Sequence, residues 1–281
     1  MKRVLVLLSS VSLLIAGGNR FEEARKLYHL SEFDKSLQVL RELPERDAAV
    51  WELIGQNHYG QADFKGASEA LEKAVALDPS SSEITLWLGR AYGRRAETSS
   101  PFTAPGFASK ARQCFERAAQ LNPNNLEAQS DLFEYYLEAP GFLGGGLDKA
   151  GRVAEQISRL NASEGFWAQS KLAEKRKEYH SAETHLRQAI DAAPQQVGRL
   201  IDLAKLFTKQ GKNQEADLSL AKAEQIAPNS PKLLYARAEI YVKSKRNLAV
   251  ARQLLKQYLS LTLTPDDPSR ADAEKLLKQA L

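Results

Sequence analysis

One block of side chains recurs down this chain of 281 residues with unchanged internal spacing. Its last full copy reads Leu200, Leu203, Ala204, Phe207, Ala216, Leu220, Ala223 and Pro228. The block Trp51, Ile54, Gly55, His58, Ala67, Leu71, Ala74 and Pro79 lies on it without a gap. A unit this short cannot enclose a core of its own, so each copy has to bury its apolar face against its neighbours.

The spacing has a physical cause. Gly or Ala at the eighth slot (Gly55, Gly89, Ala204, Ala238) and Ala at the twentieth (Ala67, Ala111, Ala150, Ala182, Ala216) let two helices of a hairpin approach closely. The proline then stops the second helix, because it lacks an N–H donor and restricts the residue before it. The twentieth-slot alanines from Ala67 to Ala251 advance in steps of 44, 39, 32, 34 and 35. The two long steps place insertions between Tyr92 and Ala111 and between Tyr136 and Ala150. Both fall between the two helices of one hairpin, where added residues leave the stacked core undisturbed.

With its period near 34 residues the pattern resembles the tetratricopeptide-repeat family almost from end to end. The resemblance implies an all-α fold, a right-handed α-solenoid of about seven helix-turn-helix hairpins. A weaker first copy (Ala24, Leu27, Ser36, Leu40, Leu43) completes the seven. At the far end Asp267 can cap and Pro268 open a last helix with Ala273, Leu276, Leu277, Ala280 and Leu281 on one face, a cap for the exposed end of the stack. The organisation expected is therefore a leader over 1–18, one continuous solenoid over 19–264 with long inter-helix loops near 97–107 and 139–147, and a capping helix over 265–281.

Lys2 and Arg3, the apolar run Val4 to Ala16 and then Gly17 and Gly18 read as a secretory signal peptide with cleavage after Gly18, or else after Ala16. The run spans roughly 20 Å as helix, short of a hydrocarbon core of about 30 Å. An uncleaved membrane tether is the other reading. No cysteine follows the run, which excludes lipoprotein-type attachment. Export to the periplasm or cell exterior is expected, and the single cysteine, Cys114, can form no internal disulfide and reads as a small packed residue.

The formal charge of +4 is unevenly spread: residues 19–162 carry a net −4 and residues 163–281 a net +6. Such asymmetry points to an acidic partner or an anionic surface. Export and the absence of a nucleic-acid motif argue against nucleic acid.

No catalytic, cofactor or metal set emerges. His180 and His185 are five apart, not the four that places two ligands on one helix face, and His58 takes a slot where the family packs an aromatic between helices. Gly144, Gly145 and Gly146 have no preceding strand and no Gly-Lys-Ser/Thr ending, so they read as a turn rather than a phosphate cradle. Asn161-Ala162-Ser163 is a glycosylation sequon of the kind chance produces.

Two surfaces remain as candidates. Both insertions contain the tetrapeptide Ala-Pro-Gly-Phe (104–107 and 139–142), so Phe107 and Phe142 either seal their own helices or form a partner-binding ledge. The family resemblance implies a concave groove lined by the first helix of each hairpin, with slots filled by Arg25, Tyr28, Tyr59, Arg90, Arg94, Trp167, Lys171, Lys175, Lys205, Lys209, Tyr235 and Lys243. The lysines form a ladder through the fifth to seventh hairpins, interleaved with aromatics suited to anchoring a partner. The carboxylate clamp of chaperone-tail binders is missing, since Phe21, Arg25 and Leu53 stand where its first residues belong. These features imply a non-catalytic scaffold of the cell envelope or exterior, holding a segment of another protein, acidic in character, with no membrane span in the mature chain. The alternative is an accessory or regulatory subunit of an envelope polymer or enzyme assembly, contacting its partner through the loops. Fold analogy does not choose between them.

Overall fold

The computed structural model describes residues 19–281, which contain fifteen α-helices and no strand. The proposed leader, residues 1–18, lies outside the described residues. Helix α1 spans 19–29 and pairs with α2 (Phe33–Arg41). Three further helix pairs are α3 (Ala48–Gly60) with α4 (Phe64–Leu77), α5 (Ser82–Thr98) with α6 (Ala104–Leu121), and α7 (Leu126–Glu138) with α8 (Leu147–Leu160). Then come α9 (Ala162–Lys175) with α10 (Tyr179–Ala192), α11 (Val197–Lys209) with α12 (Asn213–Ile226), and α13 (Pro231–Lys243) with α14 (Leu248–Ser260), closed by α15 (Arg270–Gln279). The chain forms two compact units, the first ending at Ala128 and the second spanning Gln129–Leu281.

Inside each hairpin the small-residue slots do what their spacing requires. Ala67, Ala111, Ala150, Ala182, Ala216 and Ala251 are all buried. A Cβ on Gly55 would stand 2.5 Å from Leu71 Cγ, and one on Gly89 would stand 2.7 Å from the Phe115 ring, so any larger residue would push the two helices apart. Pro79, Pro123, Pro194 and Pro228 each fall two residues past the end of a second helix. Starts are capped locally: Asp47, Asp63, Ser81 and Asn161 accept the backbone N–H three residues on. The sequon asparagine thus serves as the N-cap of α9.

Three expectations need correction. The insertion in the third hairpin is mostly not a loop, because it lengthens α5 to 17 and α6 to 18 residues and leaves only 99–103 between them. Ala104–Phe107 form the first turn of α6, where Pro105 is tolerated because its missing donor is unneeded there. In the fourth hairpin the loop survives, with a 3₁₀ turn at Gly141–Leu143. The last helix starts later than Pro268: Ser269 caps it by accepting from Asp272 N, while Asp267 accepts from the backbone N and Oγ1 of Thr264. Ala273, Leu276 and Ala280 face inward as expected, but Leu281 is 90% exposed.

Candidate partner-binding cleft

In the second unit, α7, α9 and α11 enclose a cleft of about 410 Å³. Its walls are Glu134, Leu137, Glu138, Trp167, Lys171, Glu174, Lys175 and Lys209. Three lysines therefore face three glutamates, and the cleft is mixed in charge where the sequence pointed to a positive one.

Each rung of the lysine ladder has an acidic partner, usually one hairpin away. Lys175 of α9 donates to Glu138 of α7 at 2.6 Å, and Lys209 of α11 pairs with Glu174 of α9. Lys171 lies 3.7 Å from Asp202 and 3.9 Å from Glu174, while Lys205 reaches Glu239 at 2.9 Å and Lys243 reaches the same carboxylate at 2.6 Å. Arg199 extends the chain by donating to Glu164 at 2.5 Å and Asp202 at 2.8 Å. Glu239 sits in a partly desolvated place that would raise its pKa, yet the hydrogen bond from Lys243 and the charge of Lys205 hold it below the ordinary range. Glu134 has no such surplus of cations, and desolvation first, then Asp131, pushes its carboxyl up despite Lys171.

Trp167 is not an exposed anchor. It is 7% exposed, wedged between Phe133 of α7, edge-on at 5.6 Å, and the Arg199 guanidinium of α11, 4.9 Å from its ring. The fifth slot lies at the seam between adjacent hairpins, so a large side chain there is covered by both. For the same reason Ile201, at that slot of the sixth hairpin, is buried. Tyr28, at the twelfth slot of the first hairpin, is 7% exposed with its ring against His29 and Phe33. Tyr235 packs on Tyr258, and desolvation, with Glu239 and Asp272 nearby, pushes its hydroxyl up to about 12.

The first unit holds a second cluster. Tyr59 of α3 meets Trp87 of α5 edge-on at 5.5 Å, Arg90 lies 5.0 Å over Trp87 while donating to Glu127, and Arg94 lies 4.9 Å over Phe64 while donating to Glu97. Arg25, by contrast, is bound to Glu22 within its own helix. Glu52, on the same face of α3, is raised to about 7 by desolvation, then by Glu83 and Asp78.

Sequence reasoning missed Trp87 and Arg199, and it put Glu138, Glu174 and Glu239 in groove slots without pairing them to the lysines. Trp87 stands one slot after Leu86, and Leu86 is the residue that proves buried. Among the described residues no group of His, Cys, Asp and Glu is placed to hold a metal, and no helix is long and apolar enough to cross a membrane. Burial pushes the Cys114 thiol up to about 11, away from nucleophilic use. His58 is half-buried, its Nδ1 3.0 Å from Asp63.

Residues 48–81 match the tetratricopeptide repeat. No curated protein matches the sequence significantly. Among solved structures the chain is similar to a tetratricopeptide repeat protein from Parabacteroides merdae, at 16% identity and a TM-score of 0.61 over 94% of this chain and 98% of that one. It is also similar to TTC0263, a tetratricopeptide protein of Thermus thermophilus, at 18% identity and a TM-score of 0.56, over 68% of this chain and all but 2% of the other. A chain of the APC/C hetero-tetramer Cut9-Hcn1 matches at 17% identity and a TM-score of 0.52, over 92% of this chain and 48% of that one. At these identities the likeness establishes an all-helical tetratricopeptide fold and nothing about ligands.

Proposed function

We propose that the protein is a non-catalytic interaction scaffold, exported to the cell envelope or exterior, that holds a segment of another protein against the first helices of its second unit. The observation that carries this reading is the cleft between α7, α9 and α11, where exposed Lys175 and Lys209 and the aliphatic Leu137 surround the edge of Trp167. Concave, partly apolar sites with convergent polar groups are where ligands are usually held. Because cations and carboxylates alternate along the wall, a purely acidic segment would have to displace Glu138 and Glu174 from their lysines. A segment of mixed charge could exchange pairs without leaving either sign unmatched.

Export rests on the basic, apolar and small-residue succession of residues 1–18. Intact mass of the exported protein tests it, with Asn19 expected as the first residue. The groove is tested by placing a photo-crosslinking amino acid at Lys175 or Lys209 in living cells. A discrete adduct from those positions, and none from the outer-helix control Gln188, supports the reading. Equal labelling at Gln188 removes it. A loop-mediated accessory role in an envelope assembly remains the second reading, favoured by Phe102, 96% exposed between α5 and α6.

A further inference from the structure

The rung that Lys205 and Glu239 form between two hairpins is broken at an earlier copy of the same slot. There the slot holds Glu134 on α7 and Lys171 on α9, opposite charges one hairpin apart, yet no ion pair joins them. Lys171 is drawn the other way, to Asp202 at 3.7 Å and Glu174 at 3.9 Å. The remaining lysines of the cleft wall are matched as well, Lys175 donating to Glu138 at 2.6 Å and Lys209 pairing with Glu174. Among the described residues, Glu134 is the one charged side chain of that wall with neither an ion pair nor a side-chain hydrogen bond.

Its surroundings are short of positive charge. Asp131 and Glu138 flank it on its own helix and Asp202 acts from α11, against the single ammonium of Lys171. Walled by protein and facing three carboxylates, the Glu134 carboxyl is pushed up, by desolvation first and Asp131 next. The residue nevertheless stays exposed in the open cleft, so the missing counter-charge can arrive from outside.

We propose that the cleft takes an arginine of the partner segment, its guanidinium on the carboxylate of Glu134. This rests on the reading of the cleft as the partner site and adds the chemistry of its occupant. A guanidinium suits the place better than an ammonium, because it presents a planar fork to a carboxylate and is the less strongly hydrated cation to bring out of water. Its aliphatic stem has Leu137 to lie against, and about 410 Å³ leaves room for the stem and the chain that carries it. The preference runs opposite to the acidic partner suggested by the net +6 of residues 163–281, because the groove lysines already hold carboxylates of the protein itself.

Selection of random dodecapeptides displayed on phage, against the purified chain and against Glu134→Gln, tests this. Peptides enriched on the wild type should share an arginine, and the variant should lose that preference. The best synthetic peptide should bind about tenfold more weakly when citrulline, which keeps the shape and removes the charge, replaces its arginine. Glu134→Gln should weaken the unmodified peptide about as much, with little further loss when the two changes are combined. Photo-crosslinking from position 209 places the peptide in the cleft. Because Glu134 makes no pair within the fold, the melting temperature of Glu134→Gln should not fall below wild type. Peptides that crosslink at 209 without an arginine preference, or whose arginine Glu134→Gln still reads, overturn the cation site and leave the scaffold reading standing. A lysine preference in place of arginine overturns the choice of guanidinium. Failure of any selected peptide to crosslink at 209 removes both the cation site and the cleft as the partner site.

Discussion

The ammonium of Lys205 lies 2.9 Å from the carboxylate of Glu239, the residue that occupies the same repeat slot one hairpin further along. A charge repeated down a solenoid therefore meets its counterion in the next repeat, and the ladder joins neighbouring hairpins through the wall of the groove. This pair should show measurable coupling. A double-mutant cycle with Lys205→Met and Glu239→Gln, read by urea unfolding, should give about 0.5–1 kcal/mol, modest because Lys205 remains partly solvated. The depressed Glu239 carboxyl sets the pH window. The contribution is present above the ordinary carboxylate pKa and is lost as pH falls through the lower folded value. Zero coupling at neutral pH would return the ladder to a solvated face.

Arg199 should matter more than any lysine. Its guanidinium spans Glu164 and Asp202 and covers Trp167, so Arg199→Ala removes two charge-assisted bonds and leaves the partly buried Glu164 to Gln196 and the partly buried Asp202 to Lys171. A loss of about 2–3 kcal/mol in urea unfolding is expected. Lys at this position should recover little of it, because a single ammonium cannot reproduce the planar fork.

Glu52 makes the protein less stable as pH rises. The unfolded chain releases this proton near 4.5, whereas the folded protein keeps it to about 7, so the folded state binds more protons in between. Stability should fall across that interval by on the order of 1–2 kcal/mol, allowing for the solvent that the half-buried group still meets. Glu52→Gln should raise stability by that amount at pH 8 and by almost nothing at pH 4. Thermal unfolding at the two pH values measures the difference, and equal effects at both would refute it.

The two Ala-Pro-Gly-Phe segments should separate under mutation. Phe107 stacks on Tyr92 at 6.3 Å beneath the Arg95 guanidinium at 4.0 Å, so Phe107→Ala should cost about 1–2 kcal/mol of stability. Phe142 has no such cover, and Phe142→Ala should stay within about 0.5 kcal/mol in the same unfolding assay.

The sequence by itself determined the number, order and pairing of the hairpins. Gly or Ala at two fixed slots and proline just past four of the second helices are conditions on close packing and chain termination, and both can be read from one strand of text. Ala67 and Ala216 are buried, and Gly89 has no space for a Cβ, because those conditions are local to a hairpin. Only the tertiary structure decided what the groove presents. Slot counting placed Lys175, Lys209 and Lys205 on one wall, and Glu138, Glu174 and Glu239 in groove slots of their own, but could not show that each lysine pairs with a carboxylate one hairpin away. It likewise offered Trp167 to a partner, whereas Phe133 and Arg199 close over it from either side. The same tetrapeptide became a helical turn at Ala104–Phe107 and an exposed loop at 139–142, because Tyr92 and Arg95 receive the first ring and nothing comparable covers the second. Backbone spacing is set within a repeat, but exposure and charge balance are set by what the adjoining repeats bring to the same place.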